Sequence, residues 1–426
     1  MNIETLKKYI TSGKADNDFA MLYQDVPDAR SRYIAAADRF SEIFGDRDNV
    51  RFFSAPGRTE VGGNHTDHQH GRVLAGSVDL DIIGVVSAND DGIVRIKSEG
   101  FPKDEINLAE LDINSDEFGR ASALIRGVLY YFKENGYRIG GFDAYTTSNV
   151  MRGSGLSSSA AFEVFVGTVV NNLFNDGKVN SVEIAKIAQK SESNYFGKPC
   201  GLLDQSASAL GGFTAIDFKD TAKPIVEKVN FDLAAHNFAL CVVNTGGNHS
   251  NLTQDYADIT VECRQISNYF NKDFLRDVDK NEFFSSLGVL KNKFSHRAIL
   301  RAIHFFNEDE RAEMEKNALI ENNFDEFLKL ITESGNSSYK FLQNVYSNSN
   351  VHEQGISLGL AVTEQFIAKI GKGACRVHGG GFAGTIQCFL PLESIEEYRA
   401  YIESVFGEGS CYVLKIRAVG GYEITF

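Results

Sequence analysis

Apolar and polar positions recur with two different periods along this chain, and the changes of period mark its elements. From residue 1 to about 48 the apolar side chains fall at helical spacing, around Tyr9, Phe19, Leu22, Tyr33, Ala36 and Phe40. Pro27-Asp28 predicts a turn between two of these helices. Residues 50–55 alternate as a strand that Pro56-Gly57 should stop. Residues 73–88 read as strand or loop, Asp90-Asp91-Gly92 as a turn, and 93–97 as an antiparallel strand. A helix is predicted over 121–135, closed by Gly136, and a strand over 142–148. The run 160–174 is apolar nearly all round; period alone does not separate buried helix from buried strand there, and its length favours helix. The segment 181–196 is amphipathic, with Ile184, Ile187 and Ala188 on one face, Gly197 at its end and Pro199 beyond.

Past a break near Gly211-Gly212 the pattern changes. Short strands are expected at 213–218, 226–231 and 238–244, then helices to about 371. One of these carries an apolar stripe at 252, 256, 259, 263, 266 and 270. Strand-rich stretches, 373–391 and 412–426, close the chain. At 426 residues the chain is too long for one ordinary core, and two or three domains are expected.

Composition narrows the class. Hydrophobic residues make up 43% and charged residues 23%, a globular balance. The net charge of −14, without a basic tract, argues against nucleic acid as a partner. The start M-N-I-E-T-L-K-K lacks the apolar core of a signal peptide. No apolar run approaches the roughly 20 residues needed to span a membrane. The six cysteines, at 200, 241, 263, 375, 388 and 411, have neither zinc nor redox spacing and read as buried thiols. The expected setting is therefore a reducing one, the cytoplasm.

Four stretches carry candidate chemistry. Arg152-Gly153-Ser154-Gly155-Leu156-Ser157-Ser158-Ser159-Ala160 is a glycine loop feeding the apolar run. Backbone N–H groups at the start of a helix, with its dipole, suit a phosphate, and serine hydroxyls can cap the helix or ligate magnesium. An ordinary N-capped helix or a buried strand is the alternative. No Gly-x-x-x-x-Gly-Lys-Ser/Thr occurs, so a P-loop with its lysine is excluded. The second stretch, 57–71, packs Arg58, Glu60, Asn64, His65, Asp67, His68 and His70 between glycines. It suits a grip on a polyhydroxylated ligand; metal ligation by the three histidines or a plain surface loop are its rivals. The third, Lys198-Pro199-Cys200-Gly201-Leu202-Leu203-Asp204-Gln205-Ser206-Ala207-Ser208, follows the helix bearing Glu192. Alone, Asp204 reads as a turn former or cap, and Glu192 as a metal ligand or a solvated side chain. The fourth, 378–385, places four glycines in six positions between strands, as a tight hairpin or the wall of a site.

In this order the stretches resemble the GHMP small-molecule kinases, and within them the galactokinase family. G-R-T-E-V-G-G-N-H-T-D-H is similar to the family's sugar motif G-R-x-N-x-I-G-E-H-x-D-Y. G-S-G-L-S-S-S-A-A is similar to its phosphate motif, P-C-G-L-L-D-Q to P-C-G-I-M-D-Q, and G-G-G-F-A-G to its third motif. Asn248-His249-Ser250, Tyr256 and Glu262-Cys263-Arg264 look like the stretch that follows the catalytic segment.

The resemblance implies a two-domain GHMP kinase fold of α/β and α+β parts. An N-terminal mixed-sheet domain (1–212, with a helical extension 1–48) and a C-terminal α+β domain (213–426) would close on ATP and sugar in the cleft between them. It implies ATP-dependent phosphorylation of the C1 hydroxyl of galactose. Arg58 and Asp204 match the catalytic pair. Asn64, His65, Asp67, Gly201, Asp204 and Tyr256 match sugar-contacting positions. Gly153, Ser154, Gly155, Leu156, Ser157, Ser158, Ser159 and Ala160 match the phosphate loop, and Ser158 and Glu192 match positions for Mg2+. The chain departs from the pattern at Glu60-Val61-Gly62, Asn64 and His68. The lost carboxylate at 64 should weaken the hold on the sugar, since charge-assisted bonds are roughly twice as strong as neutral ones. Rival readings are a kinase of another sugar or alcohol, a non-catalytic sugar sensor and a metallohydrolase. Intact Ser159-Ala160, Arg58 and Asp204 argue against the sensor.

Overall fold

The strand that organises the molecule is 18 residues long and is shared by three neighbours. In the computed structural model, which describes residues 1–150, 156–247 and 252–425, the strands run in chain order as follows. They are β1 (Arg51–Gly62), β2 (Arg72–Asn89), β3 (Ile93–Ser98), β4 (Lys103–Asn107), β5 (Gly141–Ser148) and β6 (Phe213–Asp217). Then come β7 (Ile225–Val229), β8 (Phe238–Asn244), β9 (Ala374–His378), β10 (Thr385–Pro391), β11 (Cys411–Leu414) and β12 (Tyr422–Ile424). β2 pairs with β1 along one edge. On its other edge the first half pairs with β6 and the second half with β5. The larger sheet, β12-β1-β2-β5-β3-β4 with β6 and β7 branching from β2, is antiparallel except for β3 beside β5. The smaller sheet, β11-β8-β10-β9, is wholly antiparallel. The architecture is a mixed α/β chain with a second sheet in its C-terminal part.

Strand alternation decides what covers the larger sheet. Phe53 and Val86 face one way, into the core shared with helices Ala121–Glu134, Ser158–Phe174 and Ser181–Ser191. Their neighbours Phe52 and Val85 face the other way, against Phe19, Tyr33 and Phe40 of the N-terminal helices. Those helices are tied down as well as packed: the wholly buried Asp81 of β2 accepts from Tyr23 (2.6 Å), Arg32 (2.5 Å) and Arg417 (3.1 Å). The stripe on helix Thr253–Tyr269 buries Ile259, Cys263 and Ile266.

Three local expectations change. Pro27 is not a break: it lies in the first turn of helix Val26–Phe44, where the missing N–H costs nothing. Pro56-Gly57 does not end β1, because a register shift between Pro56 and Arg58 carries the strand on to Gly62. The helix from Ser181 gives way at Glu192 to a π-turn, Glu192–Phe196, before Gly197 at φ 80° closes it. β6 and β7 follow residue 212 yet hydrogen-bond into the larger sheet, and β12 returns to it.

Candidate active site

The shift in β1 sets Arg58 beside the serine turn: its N–H donates to the carbonyl of Leu156 (3.0 Å). Its guanidinium then meets Asp204, in the first turn of helix Leu203–Leu210, as a two-pronged pair, Nε to Oδ1 at 2.6 Å and Nη2 to Oδ2 at 2.8 Å. Burial pushes the Asp204 carboxyl up. The Arg58 charge and bonds from Arg58 and Ser157 outweigh it and hold the group below the usual carboxylate range. Residues 146 apart in sequence thus form one charged unit.

On one side of this pair lies the 57–71 loop, where Asn64 and His65 are held by hydrogen bonds and His68 is exposed. The His65 ring stands 2.8 Å, through Nε2, from the carbonyl of Gly380. A carbonyl only accepts, so Nε2 carries the proton and Nδ1 is left as the acceptor. Burial, then neighbouring His68, keeps this ring neutral well below its ordinary value. Tyr256 stacks on His65 (6.5 Å between centroids, 28°) and donates to the Gly381 carbonyl at 3.0 Å. Gly380 must be glycine here, since a Cβ would stand 2.6 Å from the Tyr256 ring. The glycine stretch is the turn of the hairpin formed by β9 and β10, and it packs against His65 and Tyr256. Behind this turn His378 bridges Thr59 (3.0 Å) and Thr385 (2.9 Å), and burial pushes its pKa down to about 3.

Asn64, expected at the sugar, is fully enclosed instead. Its amide donates to Glu60 (2.7 Å) and to the Gly379 carbonyl (2.8 Å), and its oxygen accepts from Asn344 (2.8 Å) and Ser338 (3.3 Å). No hydrogen-bonding position on the side chain is left for a ligand. The carboxylate that position 64 lacks is present at Glu60, which Arg376 also contacts (3.2 Å). Amide and carboxylate have exchanged places relative to the family pattern, and they bond to each other.

Asp67 is half-exposed and lies close to Gly201, whose Cβ, if present, would be 3.6 Å from Oδ2. Both line a cavity of about 630 Å3 that also touches His68, Lys186 and Leu202 but neither Arg58 nor Asp204. The three histidines of the loop do not converge on a metal: His65 is held by Gly380, His70 stacks on Phe274 at 3.5 Å, and His68 is exposed. Among the described residues no three His, Cys, Asp or Glu side chains are grouped to hold one.

On the other side of the pair is the start of helix Ser158–Phe174. Ser157 stands at its N-cap with φ 53° and makes no side-chain capping bond. Ser159 donates to Glu192 Oε1 (3.0 Å). Gln205 donates from one nitrogen to Glu192 Oε2 (2.8 Å) and Glu163 Oε2 (3.1 Å). Lys198 completes the group, 3.1 Å from Glu192 Oε1. Glu163 is wholly buried with its other oxygen unpartnered among the described residues; burial, then Glu192, pushes its carboxyl well above the usual range. No hydrogen bond among the described residues joins Ser158 to Glu192. Leu156 and Ala160 are buried beside this turn. Gly153, Ser154 and Gly155, like Asn248-His249-Ser250, lie outside the described residues. Sequence reasoning passed over Gln205, Lys198 and Glu163. The first two stand in or beside the aspartate motif, but nothing in their spacing shows that they meet Glu192.

Comparison with known proteins places the chain in a family. A model of the GHMP kinases N terminal domain matches residues 123–212, and a galactokinase galactose-binding signature matches residues 38–88. Among solved structures, Lactococcus lactis galactokinase complexed with galactose superposes with a TM-score of 0.76 at 25% identity, covering 92% of this chain and 99% of that one. A mevalonate kinase (TM-score 0.57, 14% identity, 86% and 98% coverage) shares the fold alone. A galactokinase of Streptomyces coelicolor is 30% identical over 369 residues, 87% of this chain and 92% of its own. One from Clostridium tetani is 29% identical over 374 residues, 87% and 91%. The chain belongs to the galactokinase family.

Proposed function

We propose that the protein transfers the terminal phosphoryl group of ATP to the C1 hydroxyl of galactose. The observation that carries this reading is the Arg58–Asp204 pair, seated at a helix start next to the serine turn and facing a loop of fixed polar groups. Phosphoryl transfer asks for alignment and charge stabilisation more than for covalent chemistry. Asp204 keeps one lone pair per oxygen free of Arg58 and can accept the sugar hydroxyl. Because Arg58 holds it below the usual range, it is a weak base. It orients the hydroxyl and takes the proton as the new O–P bond forms. Arg58 also offsets charge on the transferring group. The acceptor nitrogen Nδ1 of His65 and the carboxylate of Asp67 read sugar hydroxyls as donors.

The acidic group at Glu192 fits a magnesium ion. Its donors are hard oxygens, it is charged, and Glu163 keeps an orphaned buried oxygen beside it. Glu192, Ser159 and Ser158 would hold the ion, with phosphates and water completing its shell, as Mg2+ prefers one or two carboxylates. When bound it would neutralise charge on the β- and γ-phosphates.

In this reading residues 1–212 supply the phosphate side and the reacting pair. Residues 213–426 supply Tyr256 and the Gly379–Gly381 wall, although β6, β7 and β12 return to the first sheet. The six cysteines are free thiols, which suits a reducing cytoplasm. Among the described residues no helix is long and apolar enough to cross a membrane. The enclosed Asn64 removes the main reason to expect a different sugar. A coupled ATP-consumption assay across galactose, its epimers and deoxygalactoses tests the proposal. Galactose should be preferred by about 10⁴ over an analogue lacking a hydroxyl that the loop reads. Equal rates with the deoxy analogue, or no ATP consumption with any sugar, would end it.

A further inference from the structure

Lys198 is not consumed by the mechanism above, and its position is unusual. Its N–H is fixed to the Glu192 carbonyl (3.2 Å) where Gly197 closes the π-turn. Its side chain is 63% exposed, while the carboxylate it meets is 3% exposed. Most half-exposed ion pairs are worth little. This one differs because the buried partner has no other cation: Lys198 is the sole positive charge paired with Glu192 among the described residues. Ser159, in the first turn of the helix, bonds the same carboxylate oxygen that Lys198 meets. The ammonium therefore stands at the mouth of the serine turn. Its field also reaches Asp204, on the acceptor side.

Two further facts bear on its role. The chain has no P-loop lysine. Arg58, the nearest guanidinium described, is pinned on both prongs to Asp204. ATP brings several negative charges to a place already holding the carboxylates of Glu192 and Asp204, so a cation that can move is needed to receive its end. A lysine offers a compact charge on a flexible stem.

We propose that Lys198 is a further catalytic residue of the transfer site: it leaves Glu192 when the nucleotide enters and pairs with the γ-phosphate, in the place a P-loop lysine takes elsewhere. Glu192, freed of the ammonium, is then available as the charged ligand for the divalent ion. The lysine thus holds the acidic group neutral until metal and phosphate arrive together. This inference rests on the phosphotransfer reading given above.

The test is calorimetric binding of ATP and of ADP, each with Mg2+, to the full-length protein without sugar. Lys198→Met should weaken ATP about tenfold while changing ADP less than twofold. Lys198→Arg, which keeps a cation, should recover most of the loss. Lys198→Met should also lower the melting temperature, because it leaves the buried Glu192 carboxylate without its cation, and Lys198→Arg should restore it; galactose affinity should change less than ATP affinity. Equal weakening of ATP and ADP would assign Lys198 a merely structural hold on Glu192 and overturn the proposal, as would unchanged ATP affinity. Parent protein that binds neither nucleotide would sink the kinase reading itself, an outcome distinct from either.

Discussion

The two flanks of the Arg58–Asp204 pair are built in opposite ways. On the sugar flank Asn64 spends all of its hydrogen bonds inside the protein, and His65, Tyr256 and His378 are each held at about 3 Å. On the phosphate flank Glu163 and Gln205 leave buried oxygens unpartnered among the described residues, and the charge on Glu192 is met by an exposed lysine. On the first flank His65 and Tyr256 are held in place before any ligand arrives and recognise by fixed geometry. The second holds unspent capacity and completes itself around charge that the nucleotide brings. A shape that must tell one hydroxyl pattern from another profits from rigidity; a site for a highly charged, metal-bound group profits from groups that can exchange partners.

The largest effect should come from the pair itself. Asp204→Asn should lower turnover by about 10³-fold while ATP affinity stays near normal, which single-turnover kinetics and nucleotide titration separate. Parent-like turnover would remove Asp204 from the chemistry. Next, Asn64→Asp keeps size but sets a carboxylate against Glu60 and the Gly379 carbonyl. It should cost about 3 kcal/mol of stability, read from denaturant unfolding, and raise the KM for galactose more than it lowers kcat. A silent substitution would mean that the sugar flank is not locked as described.

The flanks should also answer pH with opposite signs. Burial raises Glu163, so the fold prefers it protonated; the stability it contributes is present below its ordinary value and is lost as pH rises through the folded value. Glu163→Gln should therefore stabilise the protein on the alkaline side and leave the acid side little changed, measured as melting against pH. His378 is the mirror case. Its folded pKa of about 3 lies below the unfolded value, so stability falls as pH drops from about 6.5 toward 3. His378→Gln should flatten that slope by about one proton, an effect confined to the acid limb and absent near neutrality. If both variants moved the same limb of the profile, the contrast between the flanks would be lost.

What the sequence made legible depended on how far away the deciding neighbour sits. Helices and strands came through where the period was local, as in 121–135 and 142–148, and Arg58 and Asp204 came through because their motifs carry them. The misreadings have distant causes. Pro56-Gly57 looks like a stop until the shifted pairing with β2 is known. Asn64 reads as a ligand contact because nothing nearby shows that Asn344, 280 residues on, takes its oxygen. Gly62 stands where the family pattern has isoleucine, and the reason lies on helix His296–Ile320: a Cβ there would be 1.6 Å from the Glu315 carboxylate. Period and motif report on near neighbours. Exchanged partners such as Glu60 and Asn64 become visible only when the fold sets them side by side.

The pairing of β12 with β1 has a consequence for how the protein is made. Phe52, Phe53 and Ser54 pair with residues 422–424, so this edge of the first sheet stays open while residues 55–421 are being synthesised. Domains emerging from the ribosome generally fold in order, amino-terminal part first. Here that order is interrupted, and the opening segments must wait, with an unpaired edge, until residue 424 has cleared the exit tunnel.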